Sequence, residues 1–553
     1  MKRSNPVSSK WHRKYHNHVN YVDNPSKRPK LVVTEKCVKN VLNGFPWLYS
    51  KDVKNSDELV LYSPCIVNIK NEYDEHLGIG IYNKNSVIAS RILSTNINDF
   101  INEEFFTLRI EKAYKKRLEL FPNDNFFRVV NAESDFLPGI IIDKYDKLTC
   151  VQINASGMDI LLHIILKSIE NVLNPDIIIL KNDNKIRKLE KLPLKKEVYK
   201  GVYNSPIEVR ENGLTFFVDI LQSQKTGWYY DQRHNRSMLI PYCKNKRVLD
   251  LFSYVGSFGI TLAYYGAKEV TCVDSSYDAI QNGIKSAQYN NVLDKTNFVH
   301  SCVKKFLNIC LNTQMWDPFT YKHISQEVKV NNGTQCGNQN EERYKITHHK
   351  SYEDQKKHTC MQQNGDTSSL TPSGLDLMKV ETNMNLNNSG KDLDMNTQVC
   401  AQLHEQGKEK LHSDMQNIFI YEKTKIDATD IGDIENLLIK NNRVDFLKKK
   451  YDVILVDPPA LAGNSYLVPS ALKIYQKLLY ISFKIIQKPG YVFVSSCNRL
   501  IGYEELLMCI RRSLNWSKCE GIIIGEGRIS ADHPVHVSLP ETRYLTSVLI
   551  MVS

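Results

Sequence analysis

No apolar run in these 553 residues approaches the roughly 20 needed to cross a bilayer as a helix, so a soluble chain is expected. The first thirty residues lack the apolar centre of a secretory signal, and Asp23 is their only acid. They read as a disordered basic arm, with an organelle-targeting leader as the alternative. The 13 cysteines include no Cys-x-x-Cys pair and stand at no zinc-like spacing from histidine. Reduced intracellular thiols and no metal site are therefore expected. Acid is in short supply against base, 61 residues against 72, and the formal charge of +11 favours an anionic partner such as nucleic acid.

What is present is enough chain for two or three domains. From Leu31 to Thr107, short runs alternate with turn signals: Leu31–Val33, Glu58–Leu61, Cys65–Val67, Gly78–Ile81 and Val87–Ala89. Such spacing predicts a small β-barrel over 31–107. A helical period from Phe105 to Phe121 opens an α+β region over 108–220. Its strands are predicted at Phe127–Asn131, Gly139–Asp143, Thr149–Ile153, Ile177–Leu180, Ile207–Arg210 and Leu214–Val218, with a helix at Met158–Leu173. An α/β region follows over 221–307 and 442–553, with strands near 247, 270, 297, 453, 491 and 521. Between its halves, 308–441 is rich in Asn, Gln, Lys, His, Ser and Thr without apolar period. It is expected to be a disordered insertion, because it offers too little apolar surface to offset its ordering entropy.

The chemistry is concentrated in the α/β region. Arg247–Leu249 reads as a buried strand, Asp250 to Gly259 as a glycine turn opening a helix, and Glu269–Val273 as a strand ending in Asp274. Strand, glycine turn, helix, strand and terminal acid form the nucleotide half of a doubly wound sheet. Downstream, Asp457-Pro458-Pro459 follows the buried strand Val453–Val456. The combination points to an S-adenosylmethionine-dependent methyltransferase. Prolines offer carbonyls without a competing amide, and the carboxylate can accept from a base's amino group or a protonated ring nitrogen. Amino-group methyltransferases commonly place an aromatic after the prolines, whereas here the residue is Ala460.

Cys497 follows the predicted strand Tyr491–Val494 and would lie beside Asp457 if strand order is conventional. Carbon 5 of a pyrimidine is a poor nucleophile until a thiolate adds to carbon 6. That requires a thiol of ordinary pKa near 8.5 to be favoured as thiolate. The stretch Gln224 to Arg233 either lines the cofactor pocket and meets substrate phosphates, or starts a helix with a solvated face.

Motifs in chain order carry a resemblance. Gly44–Ser50, Ser90–Leu93, Ala132–Gly139, Glu211–Leu214, Gln224–Arg233, Asp532–Pro534 and Pro540–Leu545 are similar to those of the bacterial large-subunit ribosomal RNA cytosine-5 methyltransferases that carry an N-terminal PUA domain. The resemblance implies a Rossmann-like class I methyltransferase domain preceded by a PUA-like β-barrel and an α+β middle domain. It makes Cys497 the nucleophile and Asp457 its partner over the base. The implied S-adenosyl-L-methionine set is Asp250, Phe252, Tyr254, Gly256, Asp274, Ser275, Ser301, Asp457 and Pro458. RNA contacts are expected from Lys225, Arg233, Pro459, Trp47 and Arg91. Ser301 stands where the family usually places an acid against adenine, and the insertion is absent from the bacterial pattern.

The expected partner is RNA, ribosomal by resemblance, in the cytoplasm, with an organelle and a homodimer left open. Three rivals stand: amino-group methylation, such as at guanine nitrogen 2, which needs no Cys497; an RNA-binding protein whose methyltransferase domain is inactive; and a small-molecule methyltransferase, which the basic balance and the N-terminal barrel disfavour.

Overall fold

The protein is described by a computed structural model over residues 23–315, 419–421 and 449–553. Strands β1 (Lys30–Val32), β2 (Trp47–Tyr49), β3 (Cys65–Lys70), β4 (His76–Tyr82) and β5 (Ile88–Ser94) form a sheet in the order β1-β3-β4-β5-β2. Val67 and Ile69 of β3 join Leu31 and Leu48 in one core, closed by Cys37 and Val41 of α1 (Glu35–Leu42). Glu58–Leu61, predicted as a strand, is a turn instead, and Leu61 is left 92% exposed because no neighbouring strand covers it. Residues 23–30 are not a free arm: Asp23 pairs with Arg28 in a buried bridge and accepts from the Ile101 amide at 2.8 Å. The remainder of the expected arm lies outside the described residues.

Helix α2 (Glu103–Leu120) starts where the Asn102 side chain accepts from the Phe105 amide. Its Phe106, Ile110 and Ala113 pack with Ile165 and Ile169 of α3 (Leu162–Leu173). Both cover a sheet of order β10-β9-β8-β7-β6, made of β6 (Phe126–Asn131), β7 (Ile140–Tyr145), β8 (Leu148–Ile153), β9 (Ile177–Asn182) and β10 (Lys195–Lys200). The boundary expected after Thr107 falls inside α2, and Ile66, Ile79 and Ile81 of the first sheet share this core, so no break occurs there. The expected helix Met158–Leu173 is interrupted after a single turn, Ser156–Asp159. That turn approaches β4 so closely that a Cβ on Gly157 would stand 2.1 Å from Ile81 Cγ1. β10 escapes sequence reading because Lys-Lys-Glu-Val-Tyr-Lys, an exposed edge, carries no apolar run. A hairpin of β11 (Ile207–Glu211) and β12 (Leu214–Val218) leads onward to the short helix α4 (Arg233–Leu239).

The third sheet positions the site. It comprises β13 (Arg247–Leu251), β14 (Glu269–Asp274), β15 (Thr296–His300), β16 (Phe419–Tyr421), β17 (Tyr451–Val456), β18 (Ile486–Ser496), β19 (Gly521–Gly527) and β20 (Thr546–Val552). Their order is β16-β15-β14-β13-β17-β18-β20-β19, parallel from β15 to β18. Alternate residues serve opposite faces. Val248 packs with Phe258 of α5 (Ser257–Tyr264) and Ile280 of α6 (Tyr277–Tyr289). Leu249 packs with Phe306 of α7 (Val303–Met315), Leu479 of α8 (Val468–Ile485) and Leu506 of α9 (Tyr503–Ser517). Covering both faces explains the unbroken apolar strands. Order reverses between β13 and β17, which opens a crevice at their carboxyl ends.

The expected insertion start at 308 is corrected: α7 continues to Met315 because Ile309 and Cys310 are buried beneath the sheet. Residues 419–421, inside the same span, form the edge strand β16, antiparallel to β15. The rest of 308–441 lies outside the described residues. Among the described residues no helix is long and apolar enough to cross a membrane.

Candidate functional site

β13 delivers Asp250 and then turns through three left-handed residues, Phe252 (φ +61°), Tyr254 (φ +55°) and Gly256 (φ +72°). Only glycine adopts that conformation without steric cost, so the turn stores strain beside a crevice. The turn is pinned from below. Ser253 N donates to the Val273 carbonyl at 3.1 Å, and Tyr254 N to Asp274 Oδ2 at 2.8 Å. Asp250 Oδ2 accepts from Gly259 N at 2.9 Å, and a Cβ on Gly259 would stand 2.4 Å from Cys272 Sγ. Asp274 Oδ1 accepts from Ser276 N at 2.8 Å, which aims the carboxylate across the strand ends.

The other wall comes from the paired strands β17 and β18, in register Val456 to Val494. Asp457 and Cys497 therefore leave adjacent parallel strands at the same edge. Cys497 Sγ donates to the Pro458 carbonyl at 3.7 Å. Gln232 Nε2 reaches Asp457 Oδ1 and Oδ2 at 3.0 and 3.1 Å and Ser495 Oγ at 3.0 Å. Its own oxygen accepts from Asn235 at 2.6 Å, which fixes the amide's direction. Lys225 pairs with Asp231 at 3.0 Å and lies 4.6 Å over the Tyr229 ring, while Tyr544 Oη donates to Asp231 at 2.7 Å. These groups enclose a cavity of about 250 Å³. Its lining includes Phe252, Tyr254, Asp274, Ser275, Asp457, Pro458, Pro459 and Cys497.

Comparison with known proteins bears on what fills it. Residues 31–95 match the PUA-like domain family, and 197–308 the S-adenosylmethionine-dependent methyltransferases. A "Ribosomal RNA large subunit methyltransferase I" of Pseudoalteromonas translucida is 31% identical over 293 residues, which cover 51% of this chain and 73% of that protein. The chain belongs to this family. A Klebsiella pneumoniae member is 30% identical over 283 residues, covering 50% of this chain and 70% of its own. A solved methyltransferase complexed with SAH shares the fold at TM-score 0.60 and 16% identity, over 95% of this chain and 100% of its own. The fold is thus the Rossmann-like one expected, behind a PUA-like N-terminal domain, and the enzyme is an S-adenosylmethionine-dependent methyltransferase.

The cavity of this methyltransferase fits such a group. Three buried polar atoms of its lining, Ser253 Oγ, Asp231 Oδ1 and Arg236 Nη1, have no hydrogen-bond partner in the protein. Left so, each costs about 1–3 kcal/mol, an arrangement that a polar ligand relieves. Burial pushes the Asp250 carboxyl up to about 8 and the Asp457 carboxyl to about 6, and raises Asp274 as well. Burial also pushes the Cys497 thiol up to about 11, with Lys225 opposing the shift and Asp457 adding to it. Asp231 goes the other way. Burial alone would raise it, but Lys225, His533 and the Tyr544 hydroxyl hold it well below the usual carboxylate range.

The structure therefore brings together Phe252, Tyr254, Asp274, Ser275, Asp457, Pro458, Pro459, Cys497 and Lys225, with Asp250 and Gly256 beneath the same turn. It does not bring in the remaining expected residues. Ser301 turns its hydroxyl to the Cys302 carbonyl at 3.3 Å and is absent from the lining. Arg233, expected to meet RNA, is buried against Glu211 and Asp124 at 3.4 and 3.1 Å. Arg91 is buried on Glu190 at 2.7 Å, and Trp47 Nε1 donates to Glu133 at 2.9 Å. Their polar groups are satisfied inside the protein. The stretches Gln224–Arg233 and Pro540–Leu545 stand out in the sequence, but Asp231, Gln232 and Tyr544 are not singled out within them: Gln232 is neutral, and the others act only through folding partners.

Proposed function

We propose that the chain methylates carbon 5 of a cytosine in large-subunit ribosomal RNA, with Cys497 as nucleophile. One observation carries the reading: Cys497 and Asp457, at the ends of neighbouring parallel strands, line the same cavity as the acid at the end of β14. The names of its relatives support the RNA class, and the PUA-like domain is consistent with it.

Asp274 and the turn from Phe252 to Gly256 would hold S-adenosylmethionine, which supplies an electrophilic methyl group when bound. Cys497 gives up its proton to solvent and its sulfur forms a bond to carbon 6, which makes carbon 5 nucleophilic. The Asp457 carboxylate accepts from the base's amino group or protonated ring nitrogen and so favours the protonated ring, whose carbon 6 takes up the sulfur's electron pair more readily. Once carbon 5 carries the methyl group that bound S-adenosylmethionine would supply, loss of the carbon 5 proton to solvent returns the electron pair that breaks the sulfur–carbon 6 bond. Lys225 is the cation that favours thiolate. The target base must leave its stack to enter so enclosed a pocket. Activity should climb as pH rises through about 6, where Asp457 ionises, and again toward 11 as the thiolate grows.

The test is transfer of labelled methyl from S-adenosylmethionine to protein-free large-subunit RNA, with the modified base identified. Cys497→Ala should lose activity by on the order of 10³-fold or more while still binding the cofactor. Undiminished carbon 5 methylation would refute the covalent route. An amino-methylated base would assign the site to the other chemistry.

A further inference from the structure

Away from the cavity, the helical turn Ala132–Asp135 is capped by an aromatic where a glycine would serve the backbone better. Phe136 sits at φ +58°, a left-handed conformation that is an outlier for a bulky residue. It is also 57% exposed, so its ring is not held there by burial. Glycine would satisfy this backbone with less strain. Strain retained at an exposed aromatic directs attention to what meets the ring.

Beside it lies a cleft of about 200 Å³ lined by Arg109, Lys112, Ala113, Lys116, Asp135 and Phe136. Helical spacing places the three cations on one face of α2. Lys112 and Lys116 are exposed, and among the described residues neither has a carboxylate partner. Asp135, the acid of the lining, is already taken by Arg117 at 2.7 and 2.6 Å. Arg109 donates to the Phe136 carbonyl and so holds the turn against the helix. His536 packs against the Phe136 ring in a T-shaped pair at 5.9 Å, and the residue still keeps more than half of its surface exposed.

We infer that this cleft is a nucleotide subsite for a single-stranded segment of the RNA substrate, in which a base stacks on Phe136 and Lys112 and Lys116 hold its phosphate. Aromatic platforms flanked by cations are how proteins grip unpaired strands. The inference rests on the reading of the substrate as RNA. Position supports it. The same loop carries His536 to Phe136 and Tyr544 to Asp231 in the cavity. Fully extended, the chain between those residues spans at most about 28 Å, within reach of a few nucleotides.

The experiment titrates the full chain with a short fluorescein-labelled single-stranded RNA, alongside cofactor binding, thermal unfolding and methyl transfer. Phe136→Gly should weaken RNA binding roughly five- to hundredfold. It should leave cofactor affinity unchanged and raise the unfolding temperature, because the strain is gone. Phe136→Trp should retain RNA affinity. Lys112→Ala with Lys116→Ala should flatten the salt dependence of binding by about 0.7 log units per lost phosphate contact. Unchanged RNA affinity in Phe136→Gly, or an unchanged salt slope in the double variant, overturns the subsite while wild-type methyl transfer stands. Absence of RNA binding and transfer by the wild type overturns the proposed function itself.

Discussion

Lys225 and Arg233 sit on one connection, and the fold spends their charges differently. Arg233 enters a seam between the middle and catalytic regions, on Glu211, Asp124 and the Phe126 carbonyl. The same seam holds Arg128 on Asp143 at 2.8 and 3.0 Å, with Thr226 donating to the same carboxylate, and carries the Arg128 amide to Asp532 at 2.9 Å. Asp532 itself is held well below the usual carboxylate range. Burial would raise it, but His533 and Arg233 outweigh that. In the cavity three carboxyls show the opposite balance: Asp250, Asp274 and Asp457 are raised by burial, while Asp231, paired with Lys225, is lowered like those of the seam. Paired buried charge fixes geometry, while unpaired buried charge waits for a ligand.

The contrast breaks most directly if the two regions are disabled separately. Cys497→Ala should remove the activity and leave the unfolding temperature near wild type, because only a partly exposed thiol is lost. Arg128→Met should do the reverse. It strands Asp143, which is fully buried, and such a loss costs roughly 3–5 kcal/mol. Cofactor affinity of the protein that remains folded should be preserved. If Arg128→Met unfolds like wild type in a denaturant titration, the seam is not what binds the regions together.

This division was half legible beforehand. Asp250, Asp274, Asp457 and Cys497 were readable because each follows an apolar strand, and parallel sheets bring strand ends to one edge. Arg233, Arg91 and Trp47 misled because charge and aromaticity look alike in sequence whether they face water or a buried carboxylate. Gln232 gave no signal, since its role exists only once Asp457, from a strand far along the chain, arrives beside it. Ser301 was placed by analogy of position, and its hydroxyl turns away. β2 and β10 escape because a short strand or a charged edge carries no apolar run, β20 (Thr546–Val552) is absent from the expected strands although it is apolar, and the α7 boundary shifts because composition changes before the helix ends.

A gentler way to sharpen the comparison uses pH. Asp250 is raised from 3.8 to about 8 by burial, so above pH 4 the unfolded chain releases a proton that the folded chain keeps. Its contribution to stability is therefore fullest below pH 4 and declines as pH rises toward 8, by up to about 1.4 kcal/mol per pH unit. Asp250→Asn keeps an oxygen for the Gly259 amide and removes the titration. Denaturant unfolding of the cofactor-free variant at pH 6 and pH 8 should show a smaller loss than wild type. Equal slopes would mean that the carboxylate is already satisfied.

The smallest effect concerns Gln232, which we treat as a positioning residue acting through Asp457. Its amide donates to both carboxylate oxygens and so favours the ionised form against the burial that raises it. Gln232→Met keeps the volume and withdraws the donor. Asp457 should then ionise about half to one unit higher, moving the acidic limb of the kcat profile to higher pH. At neutral pH the loss in kcat should be only a few fold and should shrink as pH rises, with KM for S-adenosylmethionine nearly unchanged. A uniform loss at every pH would make Gln232 a packing residue, and the contrast between paired and waiting charge would then rest on Asp457 and Asp250 without it.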